Sequence, residues 1–161
     1  MGQTEARLTA LGLMLPEPLA LPPDVKLTFP WVRVHGKRAY VSGHGPQNQN
    51  GSLAGPFGKV GGAVSQEDAE QAARLAALAM IASLKRELGE LDRISAWLRI
   101  FGMVSSAPDF NQQPLVINAC TDLIVDVFGP VRGSHARSAV GMAELPFDLP
   151  VELEAEVAID D

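Results

Sequence analysis

The nine residues Val151–Ile159 constrain the fold more tightly than any other stretch. Val151, Leu153, Ala155, Val157 and Ile159 alternate with Glu152, Glu154 and Glu156. A period of two belongs to a strand with one buried and one open face. The acidic row reads first as a solvated face. Just upstream, residues 135–142 form a companion strand, joined to the first by a connection bounded by Pro146 and Pro150. There Arg137 stands among small and apolar residues, where a charge is costly unless it has a partner. If the two strands lie side by side and antiparallel, Arg137 and a glutamate come within reach of one small ligand.

The rest of the chain supplies a sheet and its cover. Residues 4–12 read as a short helix capped by Thr4 and ended by Gly12. Residues 15–23 carry four prolines, too many for a regular helix or a central strand, so residues 1–24 are expected to be a helix and an extended arm. The domain proper is placed at 25–161. Residues 25–34 and 38–42 predict two strands turning at His35-Gly36-Lys37. Residues 43–62, with seven glycines and two prolines, predict a long loop. It has no Gly-Lys-Ser/Thr ending and no Gly-x-Gly-x-x-Gly, so it is not a phosphate cradle.

Ser65-Gln66-Glu67-Asp68 opens a helix with a cap and two acids in its first turn. Its alanine-rich face suits close packing on a sheet, and Gly89 stops it. Residues 93–105 predict a strand with Ile94, Ala96, Leu98 and Ile100 on one face and Trp97 on the other. Pro114 fits the first turn of a second helix, buried through Val116, Cys120, Leu123, Ile124 and Val127 and closed by Gly129-Pro130. The order is that of an α+β fold with both helices on one face of a mixed sheet. The uncovered face, expected to hold Trp31, Trp97, Val140 and Met142, predicts association with further copies of the chain.

Composition removes several classes of function. The formal net charge of -6, with thirteen scattered basic residues, argues against nucleic acid as a partner. No apolar run of membrane-spanning length and no leader-like N-terminus are read, so no membrane association is expected and a cytoplasmic location is. One cysteine, Cys120, excludes an intrachain disulfide and reads as a core residue. Three histidines without ligand spacing give no metal set, so neither a metal nor another cofactor is expected.

The run Arg137-Ser138-Ala139-Val140-Gly141, then Leu145-Pro146, then Val151-Glu152-Leu153-Glu154-Ala155 resembles the signature of the Rid family. These are reactive-intermediate deaminases, also called YjgF-like or L-PSP endoribonuclease-like proteins. Tyr40-Val41-Ser42-Gly43 and Asn118-Ala119 resemble two further stretches of that family. The likeness covers residue 25 to the C-terminus. The arm and the spacing from Asn118 to Arg137 place the chain near a longer subgroup labelled endoribonuclease-like or chorismate-mutase-like. The resemblance implies a chorismate-mutase-like fold, a homotrimer with sheets around a central barrel, and clefts between subunits that bind a small carboxylate metabolite. It implies hydrolysis of imines or enamines such as 2-aminoacrylate to 2-keto acids and ammonia, without a cofactor.

By that resemblance Arg137 grips the substrate carboxylate with two parallel hydrogen bonds. Glu152 holds water near the backbone of Ala139 and shuttles protons, which needs a raised pKa. Gly43, Phe29 and Asn118 complete the substrate-binding set. The chain departs from the archetype in Ala139, which replaces a cysteine, in Phe29, which replaces a cleft tyrosine, and in His44, which replaces a glutamine. These changes alter the substrate side of the cleft. A binding module with the same cleft and no turnover is the alternative. Ribonuclease activity is disfavoured, because the chain is acidic and no histidine pair is spaced for RNA cleavage.

Overall fold

The alternating stretch is β5 (Val151–Ile159), at the centre of a five-stranded sheet. In the computed structural model, which describes residues 2–160, β5 is flanked by β2 (Arg38–His44) and β3 (Ile94–Ser105). The order is β1-β2-β5-β3-β4, with β1 (Val32–His35) and β4 (Ala136–Met142) at the edges. All neighbours are antiparallel except β3 and β4. The apolar row of β5 is buried, and its glutamates turn to the other face.

Two helices cover the apolar face. In α2 (Gln66–Leu88) the Ser65 hydroxyl accepts from the Asp68 amide at 3.1 Å, and Gly89, at φ 81°, ends the helix. Ala69, Ala72, Ala73, Ala76 and Ala77 are buried, and their small side chains let the helix lie close to the sheet. In α3 (Gln113–Arg132) Val116, Ile117, Cys120, Leu123, Ile124 and Val127 face the core. Gly129, at φ 81° and ψ 164°, leaves the helical path, so the helix breaks where the Gly-Pro pair predicts and resumes for one turn.

A third helix, α1 (Gln3–Ala10), is fastened to the same body. The Asp92 carboxylate accepts from the Gln3 and Thr4 amides and from the Thr4 hydroxyl, capping the helix from a distant loop. The arm that follows is strapped to the glycine-rich loop. Glu17 and Ala20 donate their amides to the Gln49 and Gly51 carbonyls. The loop in turn bonds the end of β3: the Val60 amide donates to the Ser105 carbonyl and the Ala107 amide to Val60.

Four expectations are corrected. First, β1 begins at Val32, not at Val25, because Pro30 has no amide to give a ladder. Second, Trp97 lies in the core, 1% exposed, with its ring edge-on to Phe128 at 5.4 Å. Two register shifts in the pairing with β5, at 94/96 and 97/99, move it across the sheet. Third, α3 is long and apolar enough to span a membrane, at mean hydropathy 1.4, and its apolar stripe packs on α2 and the sheet. Fourth, β4 and β5 are not neighbours. β3 lies between them, and this decides how the site is built.

Candidate functional site

Arg137 pairs with Ile100 of β3, so it shares that residue's helix-covered face. There α3 receives it. Nη1 donates to Asn118 Oδ1 at 2.9 Å and to Thr121 Oγ1 at 3.0 Å, and Nη2 donates to the Pro114 carbonyl at 3.3 Å. All three acceptors are neutral. Among the described residues no carboxylate lies within salt-bridge distance of Arg137. The guanidinium is thus fixed in direction, yet keeps its charge and part of its five-donor fork for another group.

The fixing extends one step further. His135 Nδ1 contacts the Gly133 carbonyl at 2.6 Å, and its Nε2 lies 3.1 Å from Thr121 Oγ1. Burial, with the charge of Arg137, holds the imidazole pKa below its ordinary value, against the bond to Gly133. The neutral ring donates through Nδ1 and accepts the Thr121 hydroxyl at Nε2, which leaves the Thr121 oxygen to accept from Arg137. Thr121 and the Pro114 carbonyl were not singled out from sequence. The signal was present: residues 114, 118 and 121 stand on one face of α3 at helical spacing.

Ala139 lies two residues along β4, on the same face, packed against the core. The Met142 carbonyl accepts from Ser106 beside β3, so by alternation the backbone groups of Arg137, Ala139 and Gly141 point to the unpaired edge. Cys120, behind Arg137, is fully buried, and burial pushes its thiol pKa up to about 12 despite the nearby guanidinium. It is a core residue and not a nucleophile.

Glu152 is elsewhere. It pairs with Met103, which pairs with Val140, three residues from Arg137 on β4. Strand rise and spacing put the two Cα atoms about 14 Å apart, and the side chains point to opposite faces of the sheet. One chain therefore does not join Arg137 to Glu152, contrary to the expectation of adjacent strands. What Glu152 does meet is Gly43. A Cβ on Gly43 would collide with Glu152 Oε1, so glycine at the irregularity in β2 lets the carboxylate lie against the backbone. Burial, and then the charge of Glu154, hold the Glu152 pKa above the usual carboxylate value.

Phe29 is half exposed, with its ring edge-on to Trp31 at 5.7 Å. It walls a cavity of about 330 Å³ on the open face, next to Ser42. His44 leaves the cleft side altogether. It is buried beneath Trp31, with Nε2 2.8 Å from the Ser83 hydroxyl of α2. Among the described residues, no three His, Cys, Asp or Glu side chains come together in a way that could hold a metal ion.

This architecture defines a class: a mixed five-stranded α+β sheet with an arginine presented at one edge and a half-buried glutamate beside a strand glycine. The family model described as "YjgF/chorismate mutase-like, putative endoribonuclease" matches residues 5–150, and the chain belongs to this YjgF/Rid family. It is 35% identical over 160 residues to Protein TCP17 of Trypanosoma cruzi, covering 99% of this chain and 96% of that one. A solved protein of unknown function from Agrobacterium tumefaciens is 39% identical with a TM-score of 0.87, covering 98% and 93% of the two chains. A structure from Shewanella oneidensis, described as a putative endoribonuclease, is 27% identical with a TM-score of 0.86, covering 98% and 100%.

Proposed function

We propose that this protein binds small 2-oxo and 2-imino carboxylates through Arg137 and hydrolyses the imines to 2-keto acids and ammonia, in clefts between the subunits of a homotrimer. The observation that carries this reading is the state of Arg137. Its guanidinium is oriented by Asn118, Thr121 and Pro114, lacks a carboxylate partner among the described residues, and stands at a strand edge with unpaired backbone groups. A planar carboxylate fits such a fork bidentately.

Glu152 supplies the proton chemistry. Burial, and then the charge of Glu154, hold its carboxyl above the usual carboxylate value, the direction that favours a group taking and returning a proton. Water adds to the imine carbon, losing a proton to Glu152, which passes one to the imine nitrogen. Glu152 then moves the hydroxyl proton of the resulting carbinolamine to its amine, the C–N bond breaks, ammonia leaves, and the carbonyl forms. Because the two residues face opposite sides of one sheet, the reaction needs Arg137 of one chain and Glu152 of the next, which a closed ring of three provides.

The same separation favours a second reading. The Arg137 clamp is complete within one chain, so the protein would bind keto acids without turnover if copies do not bring Glu152 to it. Two variants distinguish the readings. Arg137→Ala is expected to weaken keto-acid binding by about 2 kcal/mol or more. Glu152→Gln is expected to leave that binding nearly intact and to slow hydrolysis of a 2-imino acid, generated in situ, by about a hundredfold or more. A wild type that never exceeds the spontaneous rate, yet binds through Arg137, establishes the binding module. Binding and rate unchanged in both variants would remove the site.

A further inference from the structure

We infer that Thr121 and His135 are positioning residues for Arg137, and that a carboxylate held by Arg137 draws a proton onto His135. The inference rests on the reading of Arg137 as a carboxylate clamp and adds how that clamp is regulated. Three side chains stand in line. Arg137 Nη1 is 3.0 Å from Thr121 Oγ1, and that oxygen is 3.1 Å from His135 Nε2.

The far end of the line is fixed to α3. Gly133 donates its amide to the Gly129 carbonyl at 2.8 Å, and a Cβ on it would meet the Ile124 carbonyl at 2.9 Å. No side chain fits there, so Gly133 lies directly on the helix and its own carbonyl is held in place. His135 Nδ1 donates to that carbonyl at 2.6 Å, which leaves Nε2 as the acceptor of the neutral ring. The Thr121 hydroxyl then donates towards Nε2, and its lone pairs face the guanidinium.

A proton on His135 changes one bond and keeps the line. The imidazolium donates from both nitrogens, so Nε2 turns from acceptor to donor on Thr121 Oγ1. A hydroxyl oxygen accepts two hydrogen bonds, and here both would come from cations. The other charged groups on the elements around the ring are turned away from it. Asp122 and Asp126 are exposed on α3, Arg132 holds Thr4 and Asp92, and Arg99 lines the open face. Burial opposes a proton on the ring, the bond to Gly133 favours it, and the charge of Arg137 opposes it. A carboxylate across the guanidinium offsets that charge, so the ring takes a proton more readily. Linkage requires the reverse as well: the carboxylate binds more tightly once His135 is protonated. Affinity therefore rises as pH falls through the range in which the ring titrates.

Nuclear magnetic resonance on the purified protein tests the coupling. The chain has three histidines, and the His135 ring signal is assigned by its loss in His135→Gln. Saturating pyruvate should raise the midpoint of that signal by about half a pH unit or more, the effect of one charge roughly 6 Å away in water. The midpoints of His35 and His44 should stay in place. Reading the ring itself separates this result from the titration of Glu152. Calorimetric titration with pyruvate near neutral pH tests the positioning. Thr121→Val, the same shape without the hydroxyl, should bind about fivefold or more weakly, and Thr121→Ser as wild type does. A His135 midpoint that pyruvate does not move overturns the coupling. Wild-type affinity in Thr121→Val overturns the positioning role. Either result leaves the clamp standing where Arg137→Ala fails to bind. Wild-type affinity in Arg137→Ala removes the clamp and this inference with it.

Discussion

His44 and Glu152 show how burial acts in opposite directions on a base and an acid. His44 is 2% exposed, and burial lowers its pKa to about 4, against the bond to the Ser42 carbonyl and with the charge of Arg86. The neutral ring is locked in a relay: Arg86 Nη2 donates to Ser83 Oγ at 3.0 Å, and Ser83 donates to His44. A histidine whose folded pKa is depressed stabilises the fold fully above its unfolded value of about 6.5. That stability is lost as pH falls from there towards 4. The loss is on the order of 3 kcal/mol for a buried imidazole brought from about 6.5 down to about 4. Denaturant melts across that pH range should show the decline in wild type and a flatter dependence in His44→Gln. Equal slopes would mean that His44 is not held neutral. The position was visible in the sequence as a departure from the family pattern, but its place in the core was not, because Ser83 lies 39 residues away.

At the scale of elements, legibility followed the range of the forces. Both ends of α2 could be read, since Ser65 and Gly89 act within one helical turn. So could the break in α3 at Gly129. Strand order could not, because an alternating pattern states which face is buried and not which strand lies beside it. That is why the sequence suggests adjacent strands for Arg137 and Glu152, where the structure sets β3 between them. The face of Trp97 was lost for a similar reason: the register shifts exist only in the pairing with β5. Gly102 marks where β3 and α3 touch. A Cβ there would meet three atoms of the Ile117 side chain at 2.7–2.9 Å. Gly102→Ala is expected to destabilise the protein by about 1–3 kcal/mol, and adding Ile117→Val to recover part of the loss. Chemical denaturation measures both, and an unchanged midpoint in the single variant would show that the contact yields freely.

For the whole molecule, the sheet is a partition with Arg137 on one side and Glu152 on the other. In the proposed ring of three, a cleft would draw its anion clamp and its proton carrier from different chains, and defects in the two would be complementary. Arg137→Ala and Glu152→Gln chains, each inactive in its own ring, should regain activity when refolded or co-expressed together. Every mixed ring would hold one cleft with both native residues, so random assembly restores about a quarter of the wild-type rate. Two inactive variants that stay inactive in rings shown to be mixed would mean that no cleft is shared. Under the proposed function the consequence reaches inheritance: a cell carrying two different damaged copies of this gene would still assemble some working clefts, while a cell with one damaged copy doubled would not.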